Sequence, residues 1–150
     1  MNERTWRVRA MQANDIAAVL SIQEASPEAA CWTAADYDRA VAQGNCATVA
    51  EGQQGVLGFA VVRVVSDELE ILNMAVQPDA RRHGVASLLL ANALDSGRAS
   101  GARQAFLEVR QSNRAAVAFY ERHGFALRGR RPRYYTEPVE DALILACPLA

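Results

Sequence analysis

The middle of the chain alternates between strand-like and helix-like segments, and this alternation limits the folds that are open to it. Residues 69–76 and 104–110 have the pattern of strands, and the loop 77–84 leads from the first of them into a helix over residues 85–94. The apolar stripe of that helix falls at Val85, Leu88, Leu89 and Ala93. A sheet covered by helices is the architecture that buries both kinds of segment.

The remainder of the chain predicts hairpins and three more helices. The further segments predicted as strands are 5–11, 46–51, 56–65, 125–131 and 142–148, with a hairpin turn at Gly52-Gln53-Gln54-Gly55. Helices are expected to begin at Asn14 or Asp15, at Thr33 with Asp36 in the reciprocal capping position, and at Asn113. Glycines end three of the helices, at Gly44, at Gly97 with Gly101, and at Gly124. We therefore expect one α/β domain over residues 1–150, with a mixed, mostly antiparallel twisted sheet of about six or seven strands and helices on both faces.

The charged residues exclude two classes of function. All sixteen basic residues are arginine, so lysine nucleophiles and Schiff-base chemistry are ruled out. A net charge of −1 argues against a general nucleic-acid binder. Residues 1–75 hold five arginines and ten acids, whereas residues 76–150 hold eleven arginines and seven acids. This asymmetry suits an anion in one half and a cation in the other, or it is the chance pattern of a solvated surface.

Cysteine usage and hydropathy indicate the compartment. Cys31, Cys46 and Cys147 are widely spaced and form no CxxC pair, so neither a disulfide framework nor a zinc site is expected. No apolar run approaches the roughly 18 residues of a membrane span, and the first residues lack the apolar core of a signal peptide. We expect a cytoplasmic protein with no metal, no membrane and no direct nucleic-acid partner.

The most informative segment is the loop Arg81-Arg82-His83-Gly84-Val85-Ala86, which lies between a strand and a helix. The N-terminus of a helix offers unpaired N–H groups and a partial positive charge, which together bind phosphates. Gly84 lets the backbone approach a ligand closely, and either arginine is able to contact a phosphate directly. Alone, the motif fits an ordinary strand–loop–helix connection equally well, and it is neither a P-loop nor a Rossmann turn.

The loop resembles motif A of the GNAT acyltransferases, Gln/Arg-x-x-Gly-x-Gly/Ala, and neighbouring blocks sharpen the resemblance to the ribosomal-protein alanine N-acetyltransferase (RimI-like) group. The blocks occur in the order of that group, and their combination is more specific than any one of them. They are Glu70–Val76, Arg81–Ala86, Leu107–Asn113, Ala118–Phe125, Tyr134-Tyr135 and Glu140-Asp141-Ala142, preceded by Trp32. The resemblance extends over essentially the whole chain and is densest from residue 70 to residue 142.

The resemblance implies that acetyl-CoA is the acyl donor. The backbone of Met74, Ala75 and Val76 is then expected to bind the pantetheine arm as an added strand would. The residues expected to cradle the pyrophosphate are Arg82, His83, Gly84, Val85, Ala86 and Ser87, where Ala86 replaces the commoner glycine. Arg81 is expected to bind the cofactor beside them. Asn113 is expected to reach the cofactor as well as cap its helix, although the cap alone would explain an asparagine there.

Glu108 is the candidate general base. On the strand 104–110 it shares one face with Phe106 and Arg110, while Ala105, Leu107 and Val109 share the other. A carboxylate in mid-strand is poorly hydrated, which suits proton abstraction, but an ion pair with an arginine such as Arg110 is the structural alternative. Its match to the catalytic glutamate of the group favours the first interpretation, with a water molecule relaying the proton. Glu70 is the reserve base.

Tyr120 is the candidate general acid. It lies on one stripe of the fourth helix with Ala116, Phe119 and His123. A core aromatic with a satisfied hydroxyl is the structural alternative. The tyrosine of the group lies at the same distance beyond Asn113, and there its hydroxyl protonates the departing thiolate. The remaining residues that the resemblance assigns line the acceptor cleft, and they are Trp32, Glu70, Asn73, Tyr134 and Tyr135.

The sequence thus predicts an N-terminal protein acetyltransferase that moves acetyl from acetyl-CoA to the α-amine of a peptide or protein, with a ribosomal protein that begins with alanine as the expected acceptor. Two alternatives stay open. One is a GNAT enzyme for a small-molecule amine, and the other is a non-catalytic acyl-CoA-binding module. A monomer or a weak homodimer is expected.

Overall fold

Seven strands and four α-helices follow one another in the part of the chain that the computed structural model describes, residues 6–43 and 47–149. In chain order they are β1 Arg7–Ala10, α1 Ile16–Glu24, α2 Ala34–Ala42, β2 Ala47–Gly52, β3 Gly55–Val65, β4 Glu68–Val76, α3 Val85–Ala99, β5 Gln104–Arg110, α4 Arg114–Arg122, β6 Ala126–Thr136 and β7 Val139–Pro148. Short 3₁₀ turns at Ala13–Asp15 and Pro78–Ala80 precede α1 and the loop before α3. The predicted closing Gly44, the strand position Cys46 and the strand start at Thr5 lie outside the described residues.

The strands form one sheet in the order β1-β2-β3-β4-β5-β7-β6. β1 with β2, β2 with β3, β5 with β7 and β6 with β7 pair antiparallel. β4 and β5 pair in parallel, with Glu68 opposite Gln104 and Glu70 opposite Phe106. The predicted α/β class with a mixed, mostly antiparallel sheet of six or seven strands is confirmed.

The chain divides into two compact units. The first holds the described residues up to Arg63 together with Leu72–Ser96, and the second holds Val64–Ile71 and the chain from Gly97 onward. One core cluster of the first unit joins α1 and α2 to β2 and β3, around Val19, Tyr37 and Phe59. A second cluster in the same unit surrounds Val85 and Leu89 of α3. In the second unit the buried face of β5 carries Ala105, Leu107 and Val109, as the alternation of the sequence predicts.

Helix α3 is longer than predicted, because Gly97 lies inside it rather than at its end. A methyl group on Gly97 would lie 2.5 Å from Leu69 Cδ1, so this glycine lets the helix pack closely on β4. Gly101, with a φ of +89°, does follow the helix and supplies the left-handed backbone of a helix stop. A packing glycine and a terminating glycine are indistinguishable in the sequence, which explains the error.

The last hairpin is also longer than predicted. β6 extends to Thr136 and β7 begins at Val139, so Tyr134 and Tyr135 lie within β6 rather than between the last two strands. The register shifts between Leu127 and Gly129 and again between Arg131 and Tyr135. Asp141 of β7 holds the second bulge, because its carboxylate accepts hydrogen bonds from the Arg133 N–H at 3.0 Å and from Arg130 Nη1 at 3.2 Å. Such bulges break the alternation from which strands are recognised.

The predicted helix caps are present except the first. Thr33 and Asp36 form a reciprocal capping box at α2, and the Asn113 side chain accepts from the Ala116 N–H at 3.2 Å. Asp15 precedes α1 without capping it through its side chain. Its buried carboxylate instead accepts from Arg9 Nη1 and Nη2 at 2.7 and 2.9 Å and from the Gln12 N–H at 2.8 Å. This ion pair ties β1 to the start of α1.

The Arg9–Asp15 ion pair makes the free energy of unfolding depend on pH in the acid range. The Arg9 guanidinium holds the pKa of Asp15 below its ordinary 3.8, so the stabilisation is complete above about pH 4 and is lost as the pH falls below that value. We expect Asp15→Asn to lower the free energy of unfolding at pH 7 by about 2 kcal/mol, and the deficit to shrink below about pH 4. Urea unfolding measures both, with Asp38→Asn on the exposed side of α2 as control. An Asp15 deficit that is independent of pH would contradict the assignment.

Candidate functional site

The loop before α3 has the geometry of an anion site. Arg82 and Gly84 both have positive φ angles, of +65° and +90°, which turn the chain into the helix. The first bond of α3 runs from the Leu88 N–H to the Gly84 carbonyl at 3.0 Å. The N–H groups of residues 85 and 86 therefore lack an acceptor within the helix, at the end where its dipole is positive. This arrangement fits the pyrophosphate that the sequence predicts here.

Arg81, one of the two arginines of this loop, makes two hydrogen bonds within the protein. Its Nε donates to the Val76 carbonyl at 3.1 Å, and its Nη2 donates to Ser26 Oγ at 3.1 Å. Ser26 is buried and donates in turn to the Ile22 carbonyl at 2.9 Å. Arg81 thus joins the end of β4 to the segment after α1, and a contact with a phosphate stays a prediction.

The end of β4 carries the backbone that is predicted to bind the pantetheine arm. Met74 and Ala75 are half-buried, and Val76 is buried. Gly58 of β3 lies so close that a methyl group there would be 3.0 Å from the Ala75 carbonyl oxygen. Pairing with β3 ends where the Gln77 N–H donates to the Leu57 carbonyl at 2.8 Å. The need for glycine at position 58 was not recognised in the sequence, since it depends on a neighbouring strand.

The Asn73 side chain of β4 holds the segment between α1 and α2 by hydrogen bonds. Its side chain is buried, accepts from the Ala30 N–H at 3.2 Å and donates to the Ala30 carbonyl at 3.3 Å and to the Tyr37 hydroxyl at 3.1 Å. Tyr37 also donates to Gln23, whose amide nitrogen donates to the Trp32 carbonyl at 2.9 Å. Burial raises the pKa of the Tyr37 hydroxyl. Asn73 and Trp32, which are both predicted to line the acceptor cleft, are therefore connected through Tyr37. Tyr37 was not singled out in the sequence.

Trp32 is half-buried with its ring centroid 5.2 Å from that of Tyr37. Tyr37 packs edge-on against Phe59 at 5.7 Å. The sequence signal that could have indicated a buried Tyr37 is its position one turn after the Thr33 cap, on the inner side of a predicted helix. Lining of an acceptor cleft by Trp32 and Asn73 stays a prediction.

Glu108 is the most unusual carboxylate of the second unit. Its side chain is 15% exposed, and Oε2 lies 3.2 Å from Nε of Arg131 on β6. Oε2 is nevertheless buried without a hydrogen-bond partner, so the guanidinium is close but not aligned to donate. The ion pair with an arginine that the sequence offers as an alternative is present, but its partner is Arg131. Arg110 Nη1 instead contacts Glu140 at 3.2 Å. A buried acceptor with unused capacity is suited to a water molecule or a substrate N–H.

The tyrosine pair lies beside this carboxylate. The Arg110 guanidinium stacks 4.3 Å from the centre of the Tyr135 ring, and Tyr134 packs edge-on against Tyr135 at 5.1 Å. Burial, and next the negative charge of Glu108, raise the pKa of the Tyr135 hydroxyl. Glu140 also accepts from the Ser112 N–H, which fixes the turn after β5. Glu140 therefore connects Arg110 to the turn after β5.

Tyr120 is buried on α4. Its ring packs edge-on against Phe119 at 5.1 Å and against Phe125 at 5.4 Å, and burial raises the pKa of its hydroxyl. His123 follows at the predicted helix end, where its Nδ1 is 2.8 Å from the Phe119 carbonyl. The general-acid role of Tyr120 and the cofactor contact of Asn113 stay predictions.

The remaining predicted residues are placed as follows. Glu70 is half-buried on β4, opposite Phe106 of β5. His83 is exposed in the loop before α3. Within the described part of the chain, no group of three or more potential metal ligands comes together, and no helix is long and apolar enough to cross a membrane.

Comparison with known proteins identifies the family. Residues 11–125 match the model of the acetyltransferase (GNAT) family. A [ribosomal protein bS18]-alanine N-acetyltransferase of Escherichia coli K12 is 43% identical over 94 residues, which cover 61% of this chain and 64% of that protein. A putative [ribosomal protein bS18]-alanine N-acetyltransferase of Bacillus subtilis is 33% identical over 140 residues, 92% of each chain. The match to the E. coli relative thus spans slightly less than two thirds of its length.

Among solved structures, the ribosomal-protein-S18-alanine N-acetyltransferase from E. coli superimposes with a TM-score of 0.83 at 31% identity, over 97% of this chain and 95% of that one. The chain belongs to the GNAT family of acetyltransferases. The predicted resemblance to the ribosomal-protein alanine N-acetyltransferase group is confirmed. Members of the GNAT family use acetyl-CoA, whose pyrophosphate suits the anion site that is predicted at the start of α3.

The loop geometry gives a matched pair of glycine variants. Gly84 and Gly101 have almost the same φ, +90° and +89°, and neither would place a methyl group in a clash. We expect Gly84→Ala and Gly101→Ala to lose about 1 kcal/mol or more of unfolding free energy each, because alanine disfavours this backbone. Only Gly84→Ala should weaken acetyl-CoA binding, by about tenfold, since one charge-assisted N–H contact is misplaced. Calorimetric titration with acetyl-CoA separates the two, and equal affinities would contradict a phosphate site at Gly84.

Proposed function

We propose that the protein is an acetyl-CoA-dependent N-acetyltransferase that modifies the α-amine of a peptide or protein, with the N-terminal alanine of a ribosomal protein as its acceptor. The observation that carries the proposal is the buried, unpartnered Oε2 of Glu108 in a chain of the GNAT family. The names of the E. coli and B. subtilis relatives support the acceptor class.

The donor is assigned to residues of the first unit. Backbone groups of Met74, Ala75 and Val76 hold the pantetheine arm, and the loop from Arg82 to Ser87 holds the pyrophosphate through N–H groups. Positive φ angles at Arg82 and Gly84 support this assignment, since they turn the backbone N–H groups at the start of α3. Acetyl-CoA supplies the acetyl group as a thioester.

Glu108 serves as the general base. It removes one proton from the acceptor ammonium through a water molecule, which frees the nitrogen lone pair for attack. The free acceptor capacity of Oε2 is where that water molecule binds, and low exposure of the carboxylate limits competition from bulk solvent. Glu70 is the reserve base, because it is a second half-buried carboxylate in the same unit.

Tyr120 serves as the general acid. An N–C bond forms as the C–S bond of the thioester breaks, and the Tyr120 hydroxyl gives its proton to the leaving sulfur. The proton that Glu108 has taken goes to solvent, and so does the second proton that the nitrogen loses as it becomes an amide. Tyr120 regains one proton from solvent, so each turnover releases one proton and the cycle closes. Burial among Phe119 and Phe125 supports this role, because it keeps the hydroxyl protonated.

Purified protein, acetyl-CoA and a panel of acceptors test the proposal. The panel holds peptides that begin with Ala, Ser, Met or Gly, small amines, and a lysine peptide blocked at its N-terminus. Mass spectrometry then locates the added acetyl group, which we expect on peptide α-amines. Acetylation confined to small amines or lysine would assign the enzyme to another acceptor class. Binding of acetyl-CoA with no product from any acceptor would favour the non-catalytic module.

Removal of the base should abolish turnover without loss of the fold. We expect Glu108→Gln to lower kcat by about 100-fold or more, with acetyl-CoA affinity unchanged. Glu121→Gln, on the exposed side of α4, removes a carboxylate elsewhere in the same unit and should leave kcat unaltered. A Glu108→Gln enzyme with full kcat, in a preparation that binds acetyl-CoA normally, would exclude Glu108 as the base.

The pH profile tests the acid. Burial raises the pKa of Tyr120 above its ordinary 10.0, and a general acid works only while protonated, so alkaline loss of rate due to this group lies above pH 10. We expect Tyr120→Phe to lower kcat by about 100-fold, and the wild type to keep its rate between about pH 8 and pH 10. An alkaline decline below pH 10 that disappears in Tyr120→Phe would contradict the burial argument.

A further inference from the structure

Arg131 forms an ion pair with the candidate base, and the two side chains differ sharply in their exposure. The Glu108 side chain is 15% exposed, whereas that of Arg131 is 55% exposed, with their charged atoms 3.2 Å apart. The Arg131 guanidinium also lies 5.6 Å from the centre of the Tyr134 ring, which limits its motion. Glu108 is therefore the buried partner of this ion pair, and Arg131 is the exposed partner.

The contact is electrostatic rather than a formed hydrogen bond. Oε2 of Glu108 has no hydrogen-bond partner although Nε of Arg131 lies within ion-pair distance. A guanidinium in this position attracts the carboxylate and restricts its rotation, yet leaves the lone pairs of Oε2 available. A surface ion pair with good donor geometry would instead occupy the oxygen that the reaction needs.

The neighbouring arginine shows the ordinary arrangement. Arg130 Nη1 donates a formed hydrogen bond to Asp141 at 3.2 Å, and its side chain is 45% exposed. Arg130 and Arg131 are thus adjacent on β6, similarly exposed and paired at the same distance. They differ in whether the paired carboxylate oxygen is left available, which makes Arg130 a matched control.

We propose that Arg131 is a positioning residue that orients the carboxylate of Glu108 by charge while leaving its acceptor capacity for the water molecule that relays the proton of the reacting amine. This inference rests on the proposed function, because it assigns Arg131 to the same base. The positive charge of Arg131 also opposes an acceptor that stays an ammonium beside Glu108, which favours the neutral amine that attacks.

Variants of Arg131 separate this role from a structural one. We expect Arg131→Gln and Arg131→Ala to lower kcat by about tenfold, because a misoriented base costs rate rather than donor affinity. The KM for acetyl-CoA and the melting temperature should stay unchanged, and Arg131→Lys should retain most of kcat because it keeps the charge. Arg130→Gln should leave kcat as in the wild type. Equal losses of kcat in the Arg130 and Arg131 variants would mean that only the total surface charge matters, and this would overturn the proposal.

A double-mutant cycle tests whether Arg131 acts through Glu108. In the Glu108→Gln background, Arg131→Gln should have no further effect on kcat, whereas independent roles would multiply the two losses. Millimolar guanidinium chloride should restore part of kcat in Arg131→Ala and none in Glu108→Gln, because the exposed site admits the small cation. Independent losses, or no rescue, would overturn the proposal.

Failure of the proposed acceptor and failure of the Arg131 inference give different results. Should the wild type acetylate only small amines or lysine, the proposed acceptor fails, and the cycle is measured with the amine that is modified. Coupling between Arg131 and Glu108 would then still support the inference. Peptide α-amine acetylation with uncoupled Arg131 and Glu108 would sustain the proposed function and refute the inference.

Discussion

The parallel pairing of β4 with β5 is the constraint on which the other features depend. Two parallel neighbours cannot be joined by a tight turn, so the chain must cross over between them, and α3 provides the crossover. A helix that starts directly after β4 places its N-terminus beside the end of that strand. The predicted anion site at Gly84 is thus a consequence of the connection, and the glycine contributes by permitting a φ of +90°.

Buried polar side chains fix the segment after α1, which lies outside the strands of the sheet. Asn73 bonds both the N–H and the carbonyl of Ala30, so the segment after α1 is held by an amide from β4. Arg81 reaches the same segment through Ser26. A strand and a loop that are both assigned to acetyl-CoA are therefore each bonded to the segment that carries Trp32. Hydrogen bonds of this kind are costly to leave unmade when buried, so they hold the segment in one position.

Sequence reasoning succeeded where the signal was local and failed where it was not. The Thr33 capping box, the Asn113 cap and the alternating faces of β5 each need only neighbouring residues, and all three are present. Gly97 was misinterpreted because its reason, Leu69, belongs to another element. The bond between Asn73 and Tyr37 joins residues 36 positions apart, and the pairing of Glu108 with Arg131 rather than Arg110 depends on the register of three strands. Candidate site residues were recognisable through the family pattern, but their partners were not.

The position of β6 at the end of the sheet has a consequence for solubility. An eleven-residue strand with one unpaired edge is a template for strands of other molecules, and it is among the most exposed segments of the chain. Pro132 has no N–H to offer, the bulge held by Asp141 interrupts the ladder, and arginines at 128, 130, 131 and 133 make a second copy repel the first. The irregularity that presents Tyr134 and Tyr135 also protects this edge against aggregation.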